Sequence, residues 1–419
     1  MQKWSTIEKI AFRFAFLLLV LFMIFFNNGA LPFFTVVMQY PMIWLRQFIP
    51  WMGENWLKLP YKITEFTNGS GDTTYDYVVL LCIAVIAGAG TIIWSIVDRK
   101  RLNYQRLYYW VSVAVRFYVG LMLINYGLVK VIQLQFPAPG LYRLLTTYGE
   151  SSPMGLAWTF LGFSKGYNLF MGIAELSACL LFFRRTVTIG AIISLMTTAN
   201  VMAVNYFYDV PVKIVSTGLV VMCLFLVAPN FVRLFNFFVN GETVGLRTLA
   251  SLQINRRWKR NTKYGIKFLL IAITFLIGFR ECWVVNRKYG RNVPKSQLYG
   301  AYRVDTFVRN HQIVPQEVGN RSLWKMLIMD EPEKGSVQLM DDDFKFGMIR
   351  ADTLKKNIAF VFEEDPKTRE ELTYEQVDPT HFILKGQLKG DSVQISLTKI
   401  RFELTERKLN WINERPFNR

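Results

Sequence analysis

The run from Val115 to Glu175 decides how this chain reads. It carries Arg116, then Tyr126-Gly127-Leu128-Val129-Lys130, then Gly172-Ile173-Ala174-Glu175, each inside or at the edge of a long apolar segment. An arginine, a lysine and a carboxylate on membrane-length helices are costly unless paired or wet, which makes them functional candidates. Apolar runs of about 18 residues or more, enough to cross ~30 Å of hydrocarbon, recur on both sides of this stretch.

The composition agrees, with 52% hydrophobic residues and a mean hydropathy of +0.22. The net charge of +18 invites a nucleic-acid reading, but its distribution argues against one. Residues 283–419 hold 23 Lys/Arg against 20 Asp/Glu, so the excess lies in the apolar half, mostly in a few short loops. That is topology-setting charge rather than a face for nucleic acid. Cys82, Cys179, Cys223 and Cys282 form no CxxC, so a thiol–disulfide relay lacks its usual motif. His311 and His381, the two histidines, both lie in the tail, which leaves no His pair to hold haem among the apolar segments.

Seven spans are expected: Ile10–Phe26, Tyr77–Val97, Tyr108–Ile132, Gly166–Phe183, Val187–Val204, Val212–Val227 and Tyr264–Cys282. The first resembles a signal peptide, but no small-residue cleavage site follows, and a retained signal anchor is the expectation. Residues 27–75 read as a long loop, with an aromatic, interfacial segment from Pro41 to Trp51. Asn68 to Thr74 reads as a turn in which Asp72 or Thr73 caps the next helix. The alternative reading there is a polar or anion-binding loop at the membrane surface. Loops 98–106, 184–185 and 231–263 are rich in Lys/Arg, whereas 27–75 and 135–165 are not. This alternation puts the N-terminus in the cytoplasm and the tail outside.

The tail reads as β structure. Val393, Ile395 and Leu397 alternate with polar residues, as do Phe382/Leu384, Val337/Leu339 and Leu372/Tyr374. Turn signals at Pro332–Gly335, Asp341–Asp343, Asp365-Pro366, Asp378-Pro379 and Lys389–Asp391 separate these runs. Short strands at this spacing fit a meander closed as a small barrel. The fold class is therefore a polytopic α-helical membrane protein with a C-terminal soluble antiparallel barrel. The expected divisions are 1–107, 108–232, 233–282 and 283–419.

At ~1.5 Å per residue, Lys130 sits about 33 Å from Tyr108, near the outer end of its span, and Glu175 about 13 Å below the outer edge of the next. Asn200, Asn205, Asp209 and Gln135 also fall in or beside the outer half, while Arg116 lies nearer the inner side. One shared polar cavity accounts for this clustering. Each residue also has a plainer reading. Lys130 can snorkel to the headgroups, and Asp209 can pair with Lys213 at the surface. Asn200 can join two helices, and Tyr126 can belong to an aromatic belt. Glu175 resists such a reading, because a carboxylate at that depth needs a cation, a proton or water.

Arg116, the Gly-x-x-Lys ending at Lys130, the Gly-x-x-Glu ending at Glu175 and the Arg-ended segment Leu180–Arg185 together resemble the DoxX-like family of small membrane proteins. The likeness covers Tyr108 to Val232, or 125 of the 419 residues. It implies a four-helix bundle with Arg116, Lys130 and Glu175 as its polar set. Some members resemble subunits of quinone-linked membrane oxidoreductases, which implies a quinone ligand and a partner that supplies electrons. This chain adds two N-terminal spans, a seventh span and the tail. Leu298-Tyr-Gly-Ala-Tyr302 and Leu384-Lys-Gly386…Gly390-Asp391 are similar to small lipocalin-like barrels.

Two functions are open on this reading. One is a redox-linked subunit with no cofactor of its own, binding a quinone through Tyr126 and Lys130, with Glu175 relaying protons. The other is a non-enzymatic envelope anchor whose barrel binds a lipid, an apolar ligand or a protein. Either would lie in the bacterial cytoplasmic (inner) membrane, against the lipid bilayer and a membrane or periplasmic partner, with the barrel on the outer (periplasmic) side. A transporter is disfavoured by the lack of internal repeats.

Overall fold

Ser5 opens the first helix with a reciprocal cap: its side chain accepts from the Glu8 N–H at 3.1 Å, and the Glu8 carboxylate accepts from the Ser5 N–H at 2.6 Å. From there the computed structural model describes residues 3–31, 34–67, 71–248, 256–290, 293–331, 333–407, 410–416 and 418. Asn68, Gly69, Ser70 and Pro332, all parts of expected turns, lie outside the described residues. The chain forms two units: residues 1–137 with 152–290, and residues 138–151 with 291–419.

The first unit is helical. It contains α1 (Thr6–Phe25), α2 (Phe34–Asn55), α3 (Thr74–Val97) and α4 (Gln105–Val131). After α5 (Leu141–Leu145), which belongs to the second unit, come α6 (Pro153–Phe163), α7 (Lys165–Leu176), α8 (Val187–Phe207), α9 (Lys213–Val227), α10 (Phe231–Phe238) and α11 (Arg257–Tyr289). Five of these segments are long and apolar enough to cross a membrane: α3, α4, α8, α9 continued through α10, and α11. The first expected span, α1, carries Glu8, Lys9 and Arg13. The fourth is a twelve-residue α-helix that tightens into a 3-10 helix over Ser177–Phe182.

Two expectations change in this unit. Residues 27–75 are not a continuous loop, because α2 runs through both Pro41 and Pro50. Proline removes a donor but continues a helix where the freed carbonyl finds another partner. The seventh span extends beyond Tyr264–Cys282 at both ends, since flanking Arg and Lys residues are good helix formers.

Packing explains the local choices. Thr73 caps α3 in a box with buried Asp76. Asp72, at φ +59°, caps a different helix, accepting from the Lys213 and Ile214 N–H groups of α9 at 2.5 and 2.9 Å. Arg13 is turned inward on α1, and donates to Tyr104 Oη, Ser95 Oγ and the Asp98 carbonyl at 2.8–3.0 Å. Gly218 of α9 lets the Phe22 ring of α1 lie where a Cβ would stand, 2.2 Å from Cζ.

The second unit holds nine strands among the described residues. They are β1 (Gly300–Arg309), β2 (Gln312–Val314), β3 (Trp324–Glu331), β4 (Lys334–Leu339), β5 (Phe344–Asp352), β6 (Asn357–Phe362), β7 (Glu370–Gln376), β8 (His381–Leu388) and β9 (Asp391–Lys399). All neighbours are antiparallel, and β1 pairs with both β3 and β9, closing eight strands into a barrel with β2 as an added edge. The alternating residues Val393, Ile395, Leu397, Leu372 and Leu384 fill its interior. Outside it, α5 lays Leu141 against Ala301, Met326 and Ile328, and the Tyr142 ring meets Phe344 at 4.7 Å.

The β7–β8 turn has its own polar lock. Asp378 accepts from Thr380 Oγ1 at 2.6 Å, from the Thr380 N–H at 2.7 Å and from the His381 N–H at 3.0 Å. These donors, the Thr380 hydroxyl first, hold its carboxyl below the usual carboxylate range. A carboxyl whose folded pKa lies below its unfolded value of about 3.9 stabilises fully above about pH 4 and loses that contribution as pH falls further. Asp378→Asn should therefore speed amide exchange at Thr380 and His381 at neutral pH, with the difference from wild type shrinking below pH ~4.

Candidate functional site

Gly127 and Gly172 make the site. A Cβ on Gly127 would stand 2.9 Å from the Gly172 carbonyl oxygen, and one on Gly172 would stand 2.9 Å from the Gly127 carbonyl oxygen. The backbones of α4 and α7 thus touch, as small residues allow. Three residues beyond each glycine, on the same helix face, stand Lys130 and Glu175. Lys130 Nζ donates to Glu175 Oε1 at 2.6 Å, with side chains 5% and 3% exposed. Among the described residues no other ion pair has both partners buried. The headgroup-seeking alternative for Lys130 does not hold: its ammonium turns inward, 5.7 Å from the ring centres of Tyr126 and Phe136.

The pair forms one wall of a cavity of about 250 Å³. At ~30 Å³ per water that is room for roughly eight waters, or one substituted ring. Tyr126, Gln135, Asn200 and Asn205 line it together with the pair, among apolar groups that include Leu123, Trp158, Met171 and Leu219. Glu175 Oε2 and Gln135 Oε1 are buried with no hydrogen-bond partner. A buried oxygen left in this state costs about 1–3 kcal/mol, more when charged, so both await a donor. Asn205 donates to the Val212 carbonyl at 3.1 Å, which ties α8 to the start of α9.

Two of the eight sequence candidates stand apart. Asp209, at φ +53° in the α8–α9 turn, points outward and pairs with Lys213 at 3.0 Å, its side chain 83% exposed. The positive φ of that turn carries it away from the cavity that its neighbour Val210 lines. Arg116 is buried on α4, but it donates through Nε to the Leu181 carbonyl at 2.6 Å, in the 3-10 segment. Among the lining residues that escaped the sequence reading are Phe136, Trp158 and Thr198. The Phe136 and Trp158 rings meet edge to face at 5.0 Å, and nothing local in the sequence marks that contact.

The barrel has a second cavity of about 670 Å³ at one mouth, beside Tyr299, Tyr302, Lys356, Tyr374 and Lys399. Lys399 reaches it across Gly300, where a Cβ would meet its Cε at 2.6 Å, and donates to the Tyr299 carbonyl at 2.6 Å. Burial pushes the Tyr302 phenol up to about 12, so it stays a neutral donor to the Leu298 carbonyl.

Fold and site define a bundle of apolar helices around a buried lysine–glutamate pair, with an eight-stranded antiparallel barrel as a separate unit. The chain is 36% identical over 121 residues to the uncharacterized protein YwoB of Bacillus subtilis (strain 168), a match that covers 26% of this chain and 71% of YwoB. It belongs to the family of YwoB. No family model matches the chain, and no solved structure matches it significantly.

Removing one member of a buried pair strands the other, at a cost of about 3–5 kcal/mol. Glu175→Leu and Lys130→Met should each sharply lower the melting temperature of the detergent-purified chain, and the double variant should recover most of the loss. Gly172→Ala should also destabilise, because its methyl would stand 2.6 Å from Val131 Cγ2. Wild-type melting in Gly172→Ala would refute the close crossing.

Proposed function

We propose that this chain is a multi-pass protein of the bacterial cytoplasmic membrane, built on a DoxX-like bundle, that binds the ring of a quinone-type ligand beside Lys130 and Glu175. The observation that carries this reading is the spare oxygen of Glu175, buried and unpartnered in a ring-sized cavity next to a lysine. A charge pair on apolar helices is costly to keep, and such pairs mark ligand or proton pathways. Lys130 and Tyr126 donate to the ligand's carbonyl oxygens, Asn200 orients the ring, and Glu175 takes or gives the proton. Electrons come from a redox partner in or on the membrane. Seven helical segments cross the bilayer on this reading, with α1 as a retained anchor, the 165–182 segment as the fourth span and the barrel on the outer side.

Mass spectrometry of the full chain purified in detergent should find a co-purifying quinone. Added short-chain benzo- and naphthoquinones should bind at least tenfold more weakly to Asn200→Leu, which keeps the ion pair, and to Glu175→Gln. Absence of any quinone, together with wild-type affinity in both variants, would sink the reading.

The cavity at the barrel mouth favours a second reading, an envelope anchor whose barrel holds a polar ligand or a protein partner. Removal of residues 291–419 separates the two. Quinone binding survives it on the first reading, and all ligand binding disappears on the second.

A further inference from the structure

Arg116 does not line the cavity. It lies 14 residues before Lys130 on α4, about 21 Å along the helix axis. Its one hydrogen-bond acceptor among the described residues is the Leu181 carbonyl, although the side chain is buried. Other cations gather at this end of the bundle. Arg184 follows the 3-10 segment, within electrostatic reach of Arg116. Lys267 of α11 follows Lys263 by one turn, and its ammonium sits 4.5 Å from the centre of the Phe183 ring, two residues beyond the Leu181 carbonyl that holds Arg116. Lys263 donates to Tyr109 Oη at 3.1 Å, on α4 two turns before Arg116.

The segments that carry Arg116, Lys263 and Lys267 hold no acidic residue. Residues 99–149, 176–208 and 243–280 contain no Asp or Glu. Arg116, Lys263 and Lys267 make no ion pair among the described residues. Converging cations without a carboxylate, one of them a buried guanidinium, call for an anion from outside the chain. A guanidinium matches phosphate oxygens in a bidentate fork, and lysines add point charge. Exposed Phe183, Tyr264 and Phe268 lie beside the cluster and offer apolar surface to acyl chains.

We propose that Arg116, Lys263 and Lys267 form a phosphate site between α4, the 3-10 segment and α11, occupied by the headgroup of an anionic phospholipid. The lipid as source rests on the membrane reading above, whereas the phosphate chemistry does not. Nothing in this site overlaps the Lys130–Glu175 cavity.

Native mass spectrometry of the full chain in detergent tests it, with titrations of dioleoylphosphatidylglycerol, dioleoylphosphatidylcholine and inorganic phosphate. The phosphatidylglycerol should bind more tightly than the phosphatidylcholine. Lys263→Gln and Lys267→Gln should each weaken it about fivefold, the worth of one cation near an anionic surface. Arg116→Gln should weaken it further, and the two lysine variants, at partly exposed positions, decide the matter if that variant does not fold. Binding of inorganic phosphate, lost in Lys267→Gln, upholds the site with a free anion as its source. It does so even if the chain purifies without detergent and the membrane reading fails. A phosphatidylglycerol preference unchanged in all three variants, or no preference and no phosphate binding in wild type, overturns the proposal.

Discussion

Everything at the centre of the helical unit depends on two backbones touching. Where Gly127 meets Gly172, α4 and α7 come closer than any side chain permits, and that approach sets the angular position of the next turn on both helices. Lys130 and Glu175 then meet without reaching, with their aliphatic stems among apolar neighbours and their charged ends together. A buried ion pair seldom stabilises more than apolar residues of the same size would. Its retention here, with one carboxylate oxygen left unpartnered, fits a group kept for chemistry better than one kept for strength.

The 3-10 turn that follows Glu175 extends the same logic. Tightening the helix over Ser177–Phe182 offers the Leu181 carbonyl to Arg116, while Gly190 of α8 packs so closely that a Cβ would stand 2.9 Å from the Leu180 Cβ. One continuous segment, from Gly172 to Arg184, therefore serves two polar clusters about 21 Å apart along α4.

Much of this was legible in the residues, and the failures have physical causes. Apolar run length located the helices, and period-two alternation located the barrel strands, since both patterns are read from neighbours in sequence. The cluster of Lys130, Glu175, Gln135, Asn200 and Asn205 followed from depth along each helix. Depth says nothing of facing, so Asp209 falls by depth among residues it does not meet, while Arg116, set apart by depth, joins the polar set only through the family resemblance. Pro41 and Pro50 hid α2, because a breaker signal assumes the helix has no other way to satisfy its carbonyls. Asp72 read as a local cap, yet its partner helix begins 141 residues later, beyond the reach of any local rule.

The short segment 138–151 packs with the barrel although both of its flanks belong to the helical unit. In a bilayer this tie becomes a rule of parity. Segment and barrel must share one side, so the chain between them must traverse the membrane an even number of times. Among the described residues of that interval, the helices long enough to qualify alone are α8, α9 with α10, and α11, an odd number. On the membrane reading the broken α6–α7 segment must therefore traverse as well, carrying Glu175 with it.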